Sequence, residues 1–183
     1  LCSAGLILAQ AIGRWGNFVN VEAFGCATTV PWRMTSEYAG GIGSTQVQRY
    51  LATLTSAEVD ALGGMDAIGV HPTFFYESLW CLLGFFLLVW MTKRRKFDGQ
   101  MILVYTIWYG VERFVVEGLR TDSLMIGNLR VSQVFAIFSA IVALIIMLVV
   151  LQKKKASNDP EYLKLYVDTE EAQLIREGKF YGK

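Results

Sequence analysis

Three long apolar stretches constrain this chain more than any other feature of its sequence. They cover Phe74–Thr92, Gly99–Val116 and Val131–Leu151. Only Glu77, Glu112 and Arg113 interrupt them with charge. A bilayer core of ~30 Å is crossed by roughly 20 helical residues, so each stretch is long enough, the second barely. We therefore predict an all-α polytopic membrane protein, a helical bundle with about three full transmembrane helices.

A shorter apolar segment, Leu1–Ile12, precedes these stretches. As a helix it would extend only ~18 Å at 1.5 Å per residue, which is too short to cross a bilayer alone. The chain also starts without a methionine and without the basic region that opens a signal peptide. We expect this segment to be the end of an earlier helix, and the chain to be a fragment of a longer protein.

Two basic clusters flank the apolar stretches, although the net charge of the whole chain is only +1. Lys93–Lys96 follows the first stretch and Lys153–Lys155 follows the last. Basic loops favour the cytoplasmic side of a membrane, and two spans separate the clusters, so both predict the same orientation. We therefore expect a membrane-embedded region at 1–151, an outer-side cap at 26–70 within it, and a polar cytoplasmic tail at 152–183.

Two short helices are predicted outside the apolar stretches. Thr55 followed by Glu58 forms a possible capping box, and the Gly63-Gly64 pair would end that helix. In the tail, Glu170–Arg176 could form a short amphipathic helix, and its mixed charges are typical of a solvated segment.

The first polar motif, Gly13–Gly25, directly follows the apolar segment at the start of the chain. Its glycines allow close backbone approach and positive φ, which suits a bent loop around a ligand. Arg14 is costly to keep near lipid, so it needs a partner or a function. Asn17 and Asn20 supply donors and acceptors, and Glu22 could neutralise or orient Arg14. The motif indicates a polar site at the edge of a membrane.

The second polar motif, His71–Glu77, opens the first long apolar stretch. Pro72 fits the first turn of a helix, where its missing N–H has no cost. His71 is either a hydrogen-bonding group at the helix end or a general base that faces the outer side. Tyr76 is typical of the aromatic belt at a membrane interface. Glu77 has to face the bundle interior and pair with a cation, or be protonated.

The third polar motif lies on the second long stretch. Tyr109, Arg113, Glu117 and Arg120 follow i, i+4 and i+3 spacing, so they stack along one helical face. Arg113 and Glu117 could form an intrahelical pair, or the stripe could line a cavity. Arginine stays charged when buried and binds phosphate with two parallel hydrogen bonds. Arg14 and Arg113 therefore suit the headgroup of an anionic phospholipid.

Other site chemistries lack the residues they need. The glycine-rich segments are not followed by Lys-Ser/Thr, so the phosphate-loop interpretation fails, and there is no GxGxxG motif for a dinucleotide. No Asp, Glu and His cluster has the spacing of a metal site. The three cysteines, Cys2, Cys26 and Cys81, have no metal-like spacing either, and ordinary apolar packing accounts for them. We expect neither a metal nor a cofactor.

The three polar motifs together resemble those of a known family. In this order and spacing, Gly13–Gly25, His71–Glu77 and Tyr109–Arg120 look like the landmarks of bacterial prolipoprotein diacylglyceryl transferases. The resemblance covers about residues 5–151 and leaves the tail outside. Because that family has several more spans ahead of the first motif, the resemblance implies that this chain is the C-terminal part of such an enzyme.

The resemblance implies a transferase of the bacterial inner membrane. It would move the diacylglyceryl group of phosphatidylglycerol to the lipobox cysteine thiol of a prolipoprotein, forming a thioether and releasing glycerol 1-phosphate. The family's functional positions correspond here to Arg14, Asn17, Glu22, Gly25, Tyr109, Arg113 and Glu117. We expect Glu77 to join the lipid-binding group, and Tyr109, His71 and Arg113 to be catalytic.

A mechanism and an alternative both follow. Arg14 and Arg113 would hold the phosphoglycerol as it leaves, while Tyr109 or His71 takes or relays the thiol proton. The alternative is a non-enzymatic protein, such as a transporter half or a lipid-binding scaffold, that lines a substrate path with the same polar stripe.

Overall fold

The architecture is mostly helical in this computed structural model. It describes residues 2–20, 22–34, 44–64, 67–121, 125–126, 129–157, 159 and 161–178. The elements in chain order are α1 Cys2–Asn20, β1 Ala27–Thr28, α2 Ser44–Leu51, α3 Ser56–Ala61, β2 Gly69–Val70, α4 Thr73–Thr92, α5 Gln100–Leu119, β3 Met125–Ile126, β4 Leu129–Arg130, α6 Val131–Ala156, a 3₁₀ turn Tyr166–Asp168 and α7 Glu170–Arg176.

The four long helices pack side by side, α1 on α4, α4 on α5 and α5 on α6. Their apolar core is formed by Ile7, Ala11, Cys81, Leu88 and Met101. The apolar packing expected for the cysteines is therefore confirmed for Cys81, whose side chain is fully buried there, but it is wrong for Cys2, which is exposed. Polar groups also join α1 to α4, because the Ser78 hydroxyl donates to the Ala11 carbonyl at 2.8 Å.

A reciprocal tryptophan pair joins α4 to α5. The Trp80 indole N–H donates to the Trp108 carbonyl at 3.1 Å, and the Trp108 indole N–H donates to the Trp80 carbonyl at 3.0 Å. The two rings stack with centroids 4.6 Å apart. Gly84 makes room for this arrangement, because an added Cβ would lie 2.4 Å from Trp108 Nε1. The pair fixes the position of one helix along the other.

Two helices, Thr73–Thr92 and Val131–Ala156, are long and apolar enough to cross a membrane. The second buries only Ala136, Ala140 and Ala143 and exposes large side chains such as Phe135, which is 72% exposed. Such an apolar surface suits contact with lipid. The middle helix, α5, carries more charge, so the count of three spans stays a prediction. The last helix continues five residues beyond the expected end at Leu151 and includes the lysine cluster.

The first helix is longer than expected. It runs to Asn20 instead of ending at Ile12. Gly13 and Gly16 lie inside it, and an added Cβ would meet nothing within 4 Å at either position. The prediction of a bent loop at these two glycines is wrong, because helical hydrogen bonding continues through them.

A small outer unit follows the first helix. Strands β1 and β2 pair antiparallel, with Ala27 opposite Val70, and a second apolar cluster forms around Val47 and Ile68. The capping box is confirmed, since the Thr55 side chain accepts from Glu58 N–H and the Glu58 carboxylate accepts from Thr55 N–H. The stretches 35–43 and 65–66 of the predicted cap lie outside the described residues.

The tail folds back on the turn between α4 and α5. Its helix is confirmed at Glu170–Arg176. The Tyr166 backbone N–H donates to the Asp98 carboxylate at 2.6 Å. The Lys154 ammonium group donates to the carbonyls of Leu163 and Lys96. The tail and both basic clusters therefore lie at the same end of the bundle.

Replacing Gly84 by alanine should destabilise the bundle. The new Cβ would overlap Trp108 Nε1 and Ile7 Cδ1, and overpacking of this kind costs about 1–3 kcal/mol. Gly5→Ala in the exposed face of α1 is the matched control, because its Cβ meets nothing within 4 Å. Thermal unfolding in detergent should show a lower midpoint for Gly84→Ala alone, and equal midpoints would contradict this packing.

Candidate active site

One buried carboxylate, that of Glu77, joins two arginines from different helices. Its Oε2 lies 3.1 Å from an Arg14 guanidinium nitrogen, and its Oε1 accepts from Arg113 at 3.1 Å. The Glu77 side chain is only 1% exposed. Because Arg14 is on α1, Glu77 on α4 and Arg113 on α5, the contacts bring three helices to one point. The expectation that Glu77 faces inward and pairs with a cation is confirmed.

Both arginines have a second partner. Arg113 also donates to Glu117 one turn further along α5, so the intrahelical pair exists as part of a larger cluster. Arg14 donates to the Tyr109 hydroxyl at 3.5 Å. The predicted stripe on α5 therefore faces the other two helices. Its Tyr109 contacts Arg14 of α1, and its Arg113 contacts Glu77 of α4. We call Arg14, Glu77, Tyr109, Arg113 and Glu117 the arginine cluster.

The arginine cluster can accept an anion. Two guanidinium groups face two carboxylates, so their charges balance before any ligand binds. Both arginine side chains are 16% exposed, whereas the two carboxylates are nearly fully buried. A guanidinium group has five N–H donors, and the contacts above use two on each arginine. Three N–H donors on each arginine therefore lie outside these contacts and can serve an oxyanion.

A cavity of about 370 Å³ between α5 and α6 reaches this cluster. Its lining includes Tyr105, Tyr109, Arg113, Ser132, Phe135 and Ser139. Gly110 also lines it, in tight contact with Ala136 and Ala140 on α6. The cavity combines an apolar wall with a charged end, which suits an amphiphilic ligand.

Glu22 does not pair with Arg14, contrary to expectation. Its Oε1 accepts from the Asn20 side chain at 3.3 Å, and its backbone N–H donates to the Asn17 carbonyl at 3.0 Å. Arg14 lies eight residues earlier, within the helix, and reaches Glu77 instead. The structure does not bring Glu22 into the arginine cluster, and the binding roles of Asn17 and Glu22 stay predictions.

Gly25 holds the first motif against the second. Its N–H donates to the His71 carbonyl at 2.9 Å, and it forms a β-bridge with Arg120 at the end of α5. An added Cβ would lie 2.6 Å from His71 Cβ. A glycine is needed here because the backbones approach closely, and this contact places all three sequence motifs side by side.

His71 lies apart from the arginine cluster. Its Nδ1 is 3.1 Å from the Tyr76 hydroxyl, and no contact among the described residues joins its ring to Arg14 or Arg113. Burial lowers the pKa of the His71 imidazole, so the ring is neutral at pH 7. Its predicted catalytic role is untested by this geometry.

Sequence reasoning missed Glu112. Its side chain is buried on α5, with a residue exposure of 2%, beside Arg113. Neither carboxylate oxygen has a hydrogen-bond partner within the described part of the chain. A carboxylate within a predicted span was the available signal, but its neighbour Arg113 already had a candidate partner in Glu117. Glu112 adds a buried acidic group next to Arg113 on α5.

Comparisons with known proteins match this chain to one family. The family model described as prolipoprotein diacylglyceryl transferase matches residues 1–149. A Finegoldia magna relative is 46% identical over 150 residues, which cover 81% of this chain and 47% of the relative. A Clostridioides difficile relative is 41% identical over 157 residues, covering 86% and 51%. A Bacillus mycoides relative is 38% identical over 167 residues, covering 90% and 54%.

These three relatives share the name phosphatidylglycerol–prolipoprotein diacylglyceryl transferase. The chain spans about half the length of the curated relatives it matches. No solved structure matches it.

Replacing Glu77 by glutamine should strongly destabilise the fold. The change keeps the shape of the side chain but leaves two largely buried arginines without their shared counter-charge, which costs about 3 kcal/mol. Glu161→Gln is the control, because its exposed pair with Lys164 should contribute no measurable stability. Unfolding curves in detergent compare the variants, and similar midpoints would show that the bridge does not stabilise the fold.

Proposed function

Because this chain belongs to the prolipoprotein diacylglyceryl transferase family, we propose that it forms part of an enzyme that lipidates prolipoproteins. The enzyme moves the diacylglyceryl group of phosphatidylglycerol to the lipobox cysteine thiol, forming a thioether and releasing glycerol 1-phosphate. The observation that carries the proposal is the pair of arginines held on the two oxygens of buried Glu77. An anionic lipid headgroup is the ligand that such a pair fits.

Arg14 and Arg113 bind the phosphate of the lipid in this proposal. Each guanidinium can donate two parallel hydrogen bonds to a phosphate, which fixes its orientation as well as its position. Glu77 and Glu117 hold the two guanidinium groups in place from the buried side. Of the remaining predicted binding positions, Asn17 lies in the last turn of α1, and Glu22 and Gly25 lie on the segment that leads from that helix toward His71.

The reaction is a displacement at carbon. The cysteine sulfur forms a bond to C3 of the diacylglyceryl glycerol, and the bond from that carbon to the phosphate oxygen breaks. The electron pair moves to the oxygen, so negative charge grows where the two arginines donate hydrogen bonds. Arg113 is catalytic in this sense. The thiol proton passes to a base, because the thiolate is the nucleophile, and no metal or cofactor takes part.

Two predicted residues could take or relay the thiol proton. The Tyr109 hydroxyl lies within the arginine cluster, next to Arg14. His71 has a neutral imidazole at neutral pH, since burial lowers its pKa. Geometry favours Tyr109, because it alone of the two contacts an arginine that binds phosphate.

We also propose an arrangement in the membrane. Helices α4, α5 and α6 cross the bacterial cytoplasmic membrane, with the site toward the outer side and the tail in the cytoplasm. The two basic clusters and the tail lie at one end of the bundle, and the positive-inside rule assigns that end to the cytoplasm. The prolipoprotein lipobox segment then reaches the site from the outer side, and phosphatidylglycerol from the bilayer.

A transfer assay tests the function. The chain is joined to the part of the Finegoldia magna relative that it does not cover, and supplied with labelled phosphatidylglycerol and a lipobox peptide. Arg14→Ala and Arg113→Ala should lower the rate about 100-fold or more, because each removes a charged donor at the leaving phosphate. Arg49→Ala, at an exposed position of α2, should keep full activity.

Lysine variants separate catalysis from folding in the same assay. Arg14→Lys and Arg113→Lys keep the charge beside Glu77 but lose the planar fork that binds phosphate. They should fold, as judged by gel filtration in detergent, but their rate of diacylglyceryl transfer should remain low. If the unsubstituted protein forms no thioether product while the intact relative does, the transferase proposal fails. Altered lipid flux without product would then favour the transporter or scaffold.

A further inference from the structure

Three aromatic side chains form a hydrogen-bonded chain at the start of α4. The Trp32 indole N–H donates to the Tyr76 hydroxyl at 2.8 Å. The Tyr76 hydroxyl lies 3.1 Å from His71 Nδ1. Trp32 comes from the turn after β1, while His71 and Tyr76 flank the first turn of α4. We call Trp32, Tyr76 and His71 the aromatic relay.

The chemistry of these groups fixes the direction of one of the two contacts in the aromatic relay. An indole nitrogen can only donate, so Tyr76 accepts from Trp32. The Tyr76 hydroxyl keeps one proton of its own, which it can donate to His71 Nδ1, whereas a protonated Nδ1 would instead donate to the Tyr76 oxygen. A neutral imidazole has one acceptor nitrogen and one N–H. If Nδ1 accepts from Tyr76, the ring proton is on Nε2.

We propose that His71 serves the site as a neutral hydrogen-bond donor through Nε2–H, and that Trp32 and Tyr76 are positioning residues that fix this tautomer. His71 therefore does not act as a general base, because Nδ1 is occupied by Tyr76 and Nε2 already carries a proton. Because His71 lies apart from the arginine cluster that would hold the phosphate, its partner is another acceptor oxygen of the substrate, such as an ester oxygen of the lipid. That last step rests on the proposed function, whereas the tautomer does not.

Two observations support the proposal independently of the aromatic relay. Burial lowers the pKa of His71, so the neutral ring that the proposal needs is present at neutral pH. Both backbone polar groups of His71 are hydrogen-bonded to the first motif and the residue after it. The His71 carbonyl accepts from the Gly25 N–H, and the His71 N–H donates to the Cys26 carbonyl. Backbone and ring are thus both fixed.

Nitrogen NMR tests the tautomer directly. His71 is the only histidine of the chain, so selective ¹⁵N labelling of histidine gives one imidazole spectrum in detergent micelles. We expect the Nε2–H tautomer to dominate at pH 7, and Tyr76→Phe or Trp32→Phe to shift the population toward Nδ1–H. Tyr162→Phe in the tail is the control and should change nothing. A dominant Nδ1–H form in the unsubstituted chain would overturn the proposal.

A pair of amide substitutions tests the donor role in the transfer assay. The amide of glutamine at position 71 can place an N–H near the position of Nε2, and that of asparagine near the position of Nδ1. Neither amide can act as a base. We expect the kcat/KM of His71→Gln to stay within about tenfold of that of the unsubstituted protein. The kcat/KM of His71→Asn should be about tenfold lower than that of His71→Gln, which is the effect of one lost hydrogen bond.

The outcomes of the two experiments remain distinguishable. Complete and equal loss of activity in His71→Gln and His71→Asn, with both proteins folded, would overturn the donor role and restore the general base. Equal and full activity in both variants would also overturn it. If the unsubstituted protein transfers no lipid, the proposed function fails, while the NMR result still decides the tautomer.

Discussion

The position of one buried carboxylate governs the arrangement of this protein. A charge placed within an apolar helix needs a counter-charge, and Glu77 has one on each of its two oxygens. The arginines come from α1 and α5, on either side of the helix that carries Glu77. Satisfying this group requires three helices to meet at one depth, so the ionic contact and the packing of the bundle depend on each other.

Close helix packing makes that meeting possible. Gly84 lets Trp108 and Ile7 approach α4, and Gly110 lets Ala136 and Ala140 approach α5. These two glycines make room between helices and are not needed for a special backbone conformation, since neither has a positive φ. Small residues are the usual means of close approach between membrane helices, where water offers no hydrophobic driving force between them. The site is therefore built on helices whose separation is set by contacts away from the charges.

The sequence predicted the long helices better than the partners of their charges. Apolar runs locate α4 to α6 well, because hydrophobic length is a local property. The bend expected at Gly13 and Gly16 failed because the flexibility of a glycine permits a turn without requiring one. Glu22 was the nearer carboxylate along the chain, but Arg14 pairs with Glu77, 63 residues away. Tertiary packing decides such choices, and a single sequence does not contain it explicitly.

The tryptophan pair has a mechanical consequence for the site. Two opposed hydrogen bonds resist sliding of α4 along α5, because sliding would break both, whereas a small rotation about that point would not. Glu77 lies three residues from Trp80, a lever arm of ~4.5 Å, and Arg113 lies five residues from Trp108, a lever arm of ~7.5 Å. A rotation of about 10° would then move Glu77 by only ~0.8 Å. A larger change in the width of the cavity would therefore have to come from its other wall, α6.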